Sequence, residues 1–155
     1  MSHPARLIAV PALLAGAILA GEVAMAQAPP SISSTQPGAV SAGGTTKLKV
    51  RGGNLVGAAD FWASFGGELK LAGDVPDNGK NAAEVTWDVT LPAETPVGIH
   101  GIRVATAGGV SELKLILVDD LPSVAQAAGN TKLESAQEVT LPVAIDGSVA
   151  NLQLN

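Results

Sequence analysis

The sequence predicts an all-β fold, a two-sheet sandwich of about seven short strands. Three observations predict it. Short runs alternate apolar and polar residues, the pattern of a half-buried strand. These runs recur at intervals of about 8–12 residues. Gly and Pro, 18 and 10 of 155 residues, punctuate the gaps between them. Beyond residue 26 no stretch sustains the 3.6-residue apolar period of a helix.

The chain opens on an export signal rather than on the fold. Arg6 and the amino terminus make a positive start, and Leu7 to Ala20 is an uncharged apolar run. That run is shorter than the ~20 residues of a membrane span. Ala24-Met25-Ala26 supplies the small-x-small pattern of a cleavage site, between Ala26 and Gln27. An uncleaved anchor is the alternative. Cleavage removes Arg6 and Glu22 together, so the net charge of −5 is unchanged. Such an acidic chain lacks the basic face that nucleic acid requires. Cysteine is absent, so an exported domain must rely on its core rather than on disulfides.

The elements follow in order. Ser31 to Thr35 is a short edge strand, ended by the turn Gln36-Pro37-Gly38. Thr45 to Arg51 alternates: Thr46, Leu48 and Val50 face in, and Lys47, Lys49 and Arg51 form a basic outer stripe. Gly52-Gly53-Asn54 makes a corner that needs positive φ, and Leu55 folds back onto the core. Ala59 to Phe65 carries Phe61, Trp62 and Phe65, and Glu68 to Ala72 is a return strand after Gly66-Gly67. Gly73 to Asn81 is a polar loop. Glu84 to Leu91 is the clearest strand, with Val85, Trp87, Val89 and Leu91 inward and Glu84, Thr86, Asp88 and Thr90 outward. Trp62 and Trp87 are expected to meet in the core between the sheets. Ile99 to Thr106, the turn Gly108-Gly109 and Leu113 to Val118 form a hairpin. The last strand is apolar on both faces apart from Lys114, as expected of a strand covered on both sides.

The expected organisation is a signal peptide (1–26), an immunoglobulin-like β-sandwich (27–122), a linker (123–136) and the start of a second β domain (137–155). The linker is rich in Ala, Ser and Gln, with room for a loose helical turn. Val139 to Ile145 reads as a strand, Asp146-Gly147 as a hairpin turn, and Ser148 to Leu154 as the return strand. One hairpin cannot bury a core alone. It therefore either opens a second domain or docks onto the first.

Several runs carry a family resemblance: Gly53-Asn54-Leu55, then Pro96 to Val104, then Gly109-Val110-Ser111, then Val118-Asp119-Asp120-Leu121-Pro122. In order and spacing they resemble the TIG/IPT-like immunoglobulin-type module of large secreted bacterial proteins. The stretch Ala136 to Pro142, followed by Ile145 to Val149, resembles the opening of the pre-peptidase C-terminal (PPC-type) domain that follows that module. The chain departs from the pattern at Ala125 to Asn130, where the family carries an acidic Glu-Pro-Asn stretch. It also has His100 where the family has an aromatic residue. The resemblance implies no catalytic residues.

Candidate chemistry is sparse. His100 is the sole histidine after cleavage, and no second His or Cys is present to build a usual metal or nucleophile site with it. It reads as a hydrogen-bonded structural residue. Asp74, Asp77 and Asn78 could offer oxygen to a hard cation, but the spacing lacks the closing Glu of a calcium loop. Asp119 and Asp120 could hold calcium between domains, with the start of a linker as the ordinary reading. Trp62 with Phe61 and Phe65 could make a sugar-stacking platform; with only 3% aromatics, burial is the default. The basic stripe could meet an anionic polymer, or could simply guard a strand edge.

The expected function is a non-catalytic, exported spacer or interaction module without cofactors, in the periplasm, cell envelope or outside the cell. Its partners would be other domains of the same chain, envelope proteins or a glycan, and the membrane only through the signal before cleavage. The alternatives are a carbohydrate- or surface-binding module and the front segment of a secreted hydrolase with catalysis beyond Asn155. Exposure of Trp62 would favour carbohydrate binding.

Overall fold

The computed structural model describes residues 27–58, 60–130 and 132–147. The expected export signal, with its expected cleavage after Ala26, and the expected return strand at Ser148 to Leu154 lie outside the described residues. The fold is all-β. One sheet has the order β1-β3-β6-β5, built from Ser31–Gln36, Thr45–Gly53, Glu84–Thr90 and Glu68–Leu71. The facing sheet has the order β2-β9-β7-β4, from Ala39–Ser41, Lys114–Asp119, Gly98–Thr106 and Asp60–Ala63. Gly109–Val110, β8, extends the end of β7. Among the described residues no helix is long and apolar enough to cross a membrane.

The alternation read from β3 and β6 is the alternation of the core. Leu48 and Val50 are buried opposite Trp87 and Val85 in an antiparallel register. From the facing sheet, Ile102, Val104, Ile116 and Val118 close onto them. Asn54 takes the left-handed conformation at φ 57°, and Leu55 is fully buried behind it. Phe61 and Trp87 pack with ring centroids 5.3 Å apart at 36°. The Trp87 indole N–H is buried without a protein acceptor among the described residues.

Four expectations are corrected. Trp62 does not meet Trp87. On β4, Phe61 takes the inward position, so its neighbour Trp62 points outward and is 51% exposed. The residues after Gly66-Gly67 do not return along β4. The chain crosses to the other sheet, and β5 pairs with β6. At this crossing a Cβ on Gly67 would come within 2.6 Å of the Thr90 carbonyl, so only glycine fits. Thr86 is buried rather than outward. The Asn78 side chain donates to the carbonyls of Thr86 (2.7 Å) and Ala72 (2.9 Å) and accepts from the Thr86 amide (2.9 Å). It thereby continues the ladder where β5 stops. Finally, β9 is covered on one face only. Its outward residues, with Leu113 just before it, are exposed.

β2 carries no local pattern that marks it as a strand. Pro37-Gly38 carries the chain from the edge of one sheet to the edge of the other, where β2 runs parallel to β9. Beyond the sandwich, Ser123–Ala125 (β10) pairs in parallel with Ala144–Asp146 (β11). The linker segment therefore contains a strand, together with a 3₁₀ turn at Leu133–Ser135. The expected strand from Val139 shrinks to β11, and its described partner is β10. Asp146 also reaches the sandwich, where its carboxylate accepts the Gly38 amide at 2.6 Å.

Candidate functional site

The two outer faces of the sandwich differ in chemistry. On β3 and β6 the charges are paired. Lys47 contacts Asp74 (2.7 Å) and Asp88 (2.9 Å), while Lys49 and Arg51 both contact Glu84 at 3.1 Å. These bonds hold the Asp74 and Glu84 carboxyls below their ordinary range and raise the Lys47 ammonium. The basic stripe is thus neutralised by its own sheet and by the Asp74 loop.

The outer face of the β2-β9-β7-β4 sheet is apolar. Register places Ile99 beside Leu117, and Gly101 beside Leu115. Ile99 is 73% exposed and Leu115 60%. Leu113 lies over Gly101, where an added Cβ would come within 2.6 Å of a Leu113 methyl. Ile99, Leu113, Leu115 and Leu117 therefore make one aliphatic surface. Extensive contiguous apolar surface of this kind is the signature of interaction sites.

At the β4 side the same face changes character. Trp62 pairs with Arg103, and Asp60 with Ala105, which in turn pairs with Val110. These five residues line a cleft of about 320 Å³. Each charged side chain is tethered by one atom. Arg103 Nη1 donates to the Ser111 carbonyl at 2.8 Å, and Asp60 Oδ1 accepts the Phe61 amide at 2.8 Å. Ser111 is itself buried and fixed, accepting from the Val104 amide and donating to the Glu112 carbonyl. Of the three aromatics read as one platform, Phe61 and Phe65 are in the core; Trp62 alone reaches this face.

The other candidates lie apart from it. His100 Nε2 donates to the Pro96 carbonyl at 2.9 Å, and Nδ1 lies 3.3 Å from the Ser64 hydroxyl. Its ring meets Phe65 edge-on at 5.5 Å. Asp74 is engaged by Lys47 and Asp77 by Lys80 at 2.8 Å. Asp119 Oδ1 caps the Leu121 amide at 3.2 Å, and Asp120 is exposed beside it. Among the described residues no three acidic, His or Cys side chains converge as a metal site. Sequence reading missed the open face because apolar residues on both sides of β9 do not say whether each side is covered. The one available signal was that Ile99 and Leu117 fall out of phase with the core positions Ile102 and Val118. No family model matches the chain, and no curated protein matches it.

Proposed function

We propose that this chain is a non-catalytic, exported interaction module that docks a neighbouring protein surface on the outer face of its β7 and β9 strands. The observation that carries the reading is the row Ile99, Leu113, Leu115 and Leu117, exposed together on one sheet face. An aliphatic row suits a partner that excludes water from it, as at the core of a protein interface. Its partner would be an adjacent β domain of a longer chain or another envelope protein. The export-signal pattern and the resemblance to the TIG/IPT-like module are consistent with that setting. Photo-cross-linking in the source cells tests the reading. A cross-linker at position 115 or 117 gives the same discrete adduct, absent when it is placed at position 49 on the opposite sheet. Adducts that do not distinguish the two faces would leave only a passive spacer.

A further inference from the structure

The Trp62 cleft has a different chemistry from the aliphatic row beside it, and the docking reading does not use it. Its floor is an indole with two small apolar neighbours, Ala105 and Val110. Its polar groups are one carboxylate and one guanidinium, which form no ion pair with each other within 4.0 Å. With Asp60 Oδ1 and Arg103 Nη1 tethered to backbone, Asp60 Oδ2 and Arg103 Nη2 have no protein partner among the described residues. The site therefore offers a flat apolar face, one strong acceptor and one strong donor, on side chains already held in place.

We propose that this cleft binds a neutral hexopyranose ring of a glycan. A pyranose presents an apolar C–H face to the indole and hydroxyls at its edge, and each hydroxyl both donates and accepts. The carboxylate accepts from one hydroxyl and the guanidinium donates to another, and charge-assisted bonds of this kind are the stronger ones. The charges also set the ligand's sign. An acidic sugar gains at Arg103 but is repelled by Asp60, and an amino sugar meets the reverse, so the uncharged ring fits best. A volume of about 320 Å³ sits at the small end of ligand pockets, which suits one ring rather than a long acyl chain. Because tethering precedes binding, little side-chain freedom remains to be lost.

The chain has two tryptophans, so Trp87→Phe leaves Trp62 as the sole indole reporter. The exported protein carrying that change is titrated with neutral oligomers of glucose, galactose, mannose and N-acetylglucosamine, and with a uronic acid oligomer. The proposal expects saturable change in Trp62 emission with at least one neutral oligomer. Calorimetry on the protein with both tryptophans gives the same affinity, guarding against a defect from the core change. Trp62→Ala weakens binding about tenfold or more. Asp60→Asn and Arg103→Gln each weaken it by about tenfold, with thermal unfolding unchanged. The proposal is overturned if no neutral oligomer binds below about 10 mM, a free energy too small for a built site. Preference for the uronic acid oligomer overturns the neutral assignment. If a leucine-rich peptide shifts Trp62 emission and no sugar does, the cleft belongs to the protein-docking face instead.

Discussion

Ile99 and Ile102 lie three residues apart on β7 and face opposite ways, Ile99 at 73% exposure and Ile102 at 0%. Replacing each by Ala therefore measures whether the outer face is open in the working protein. For Ile102→Ala the loss is that of a fully buried side chain, about 2–5 kcal/mol including the cavity left behind. Only about a quarter of Ile99 is covered, which scales the same penalty to roughly 0.5–1.3 kcal/mol. Both changes lose the same strand preference, so the difference isolates burial, at about 1.5–4 kcal/mol. Urea unfolding of the two single variants at matched protein concentration gives this difference from the shift in midpoint at constant slope. Equal costs would refute the reasoning, because Ile99 would then be covered in the native protein. Repeating the Ile99 measurement across a range of concentrations would show whether a second copy provides the cover.

Three further outcomes follow from the bonds described. Asn78→Ala takes the side-chain partner from the Thr86 amide and the Ala72 carbonyl and leaves the Thr86 carbonyl with the Ala72 amide alone, so stability falls by about 2–3 kcal/mol. Hydrogen exchange at Thr86 should accelerate with it, and an unchanged rate would remove Asn78 from the ladder. The Glu112 carboxylate accepts the Ile32 amide at 2.9 Å, and that bond, first among its causes, lowers its pKa. A lowered carboxyl contributes stability that is full above the ordinary Glu range and is lost as pH falls through the folded value. Acid should therefore loosen the edge strand β1, and Glu112→Gln should flatten that dependence, as read by exchange at Ile32 between pH 5 and pH 3, about the range in which glutamates titrate. Asp146→Ala removes the contact to Gly38, so limited proteolysis between Gln126 and Ser135 should quicken while the sandwich keeps its melting temperature.

The parts of the fold legible in the sequence are those where one face of a strand is wet and the other dry. Thr45 to Arg51 and Glu84 to Leu91 alternate because water lies on one side of them, and their register follows. The outward position of Trp62 is not legible for a local reason. Phe61 and Trp62 are adjacent on a four-residue strand, and two neighbouring aromatics do not reveal which of them points in. The β2 strand is three residues long and pairs with a segment far along the chain, so no local pattern marks it. Asp146-Gly147 has the chemistry of a hairpin turn, yet the described strand before it pairs backward and in parallel. The Trp62 cleft was half legible. Its residue types were visible, but bringing Asp60, Arg103 and Val110 around one indole requires three strands in register.

The parallel pairing of β2 with β9 has a mechanical consequence. If the module joins neighbours as proposed, tension enters before Ser31 and leaves after Asp119. Because β2 and β9 run the same way, that pull slides one strand along the other. It loads the pairs Ala39–Leu117, Val40–Val118 and Ser41–Asp119 together instead of opening them one at a time. Breaking them in concert takes a larger force than unzipping the same bonds. Pulling the chain by its two ends should therefore meet higher resistance than pulling across the β7–β9 hairpin, and equal rupture forces would contradict this. The short strand at the sheet edge would then act as a clamp, holding the module shut along the direction in which a tethered protein is stretched.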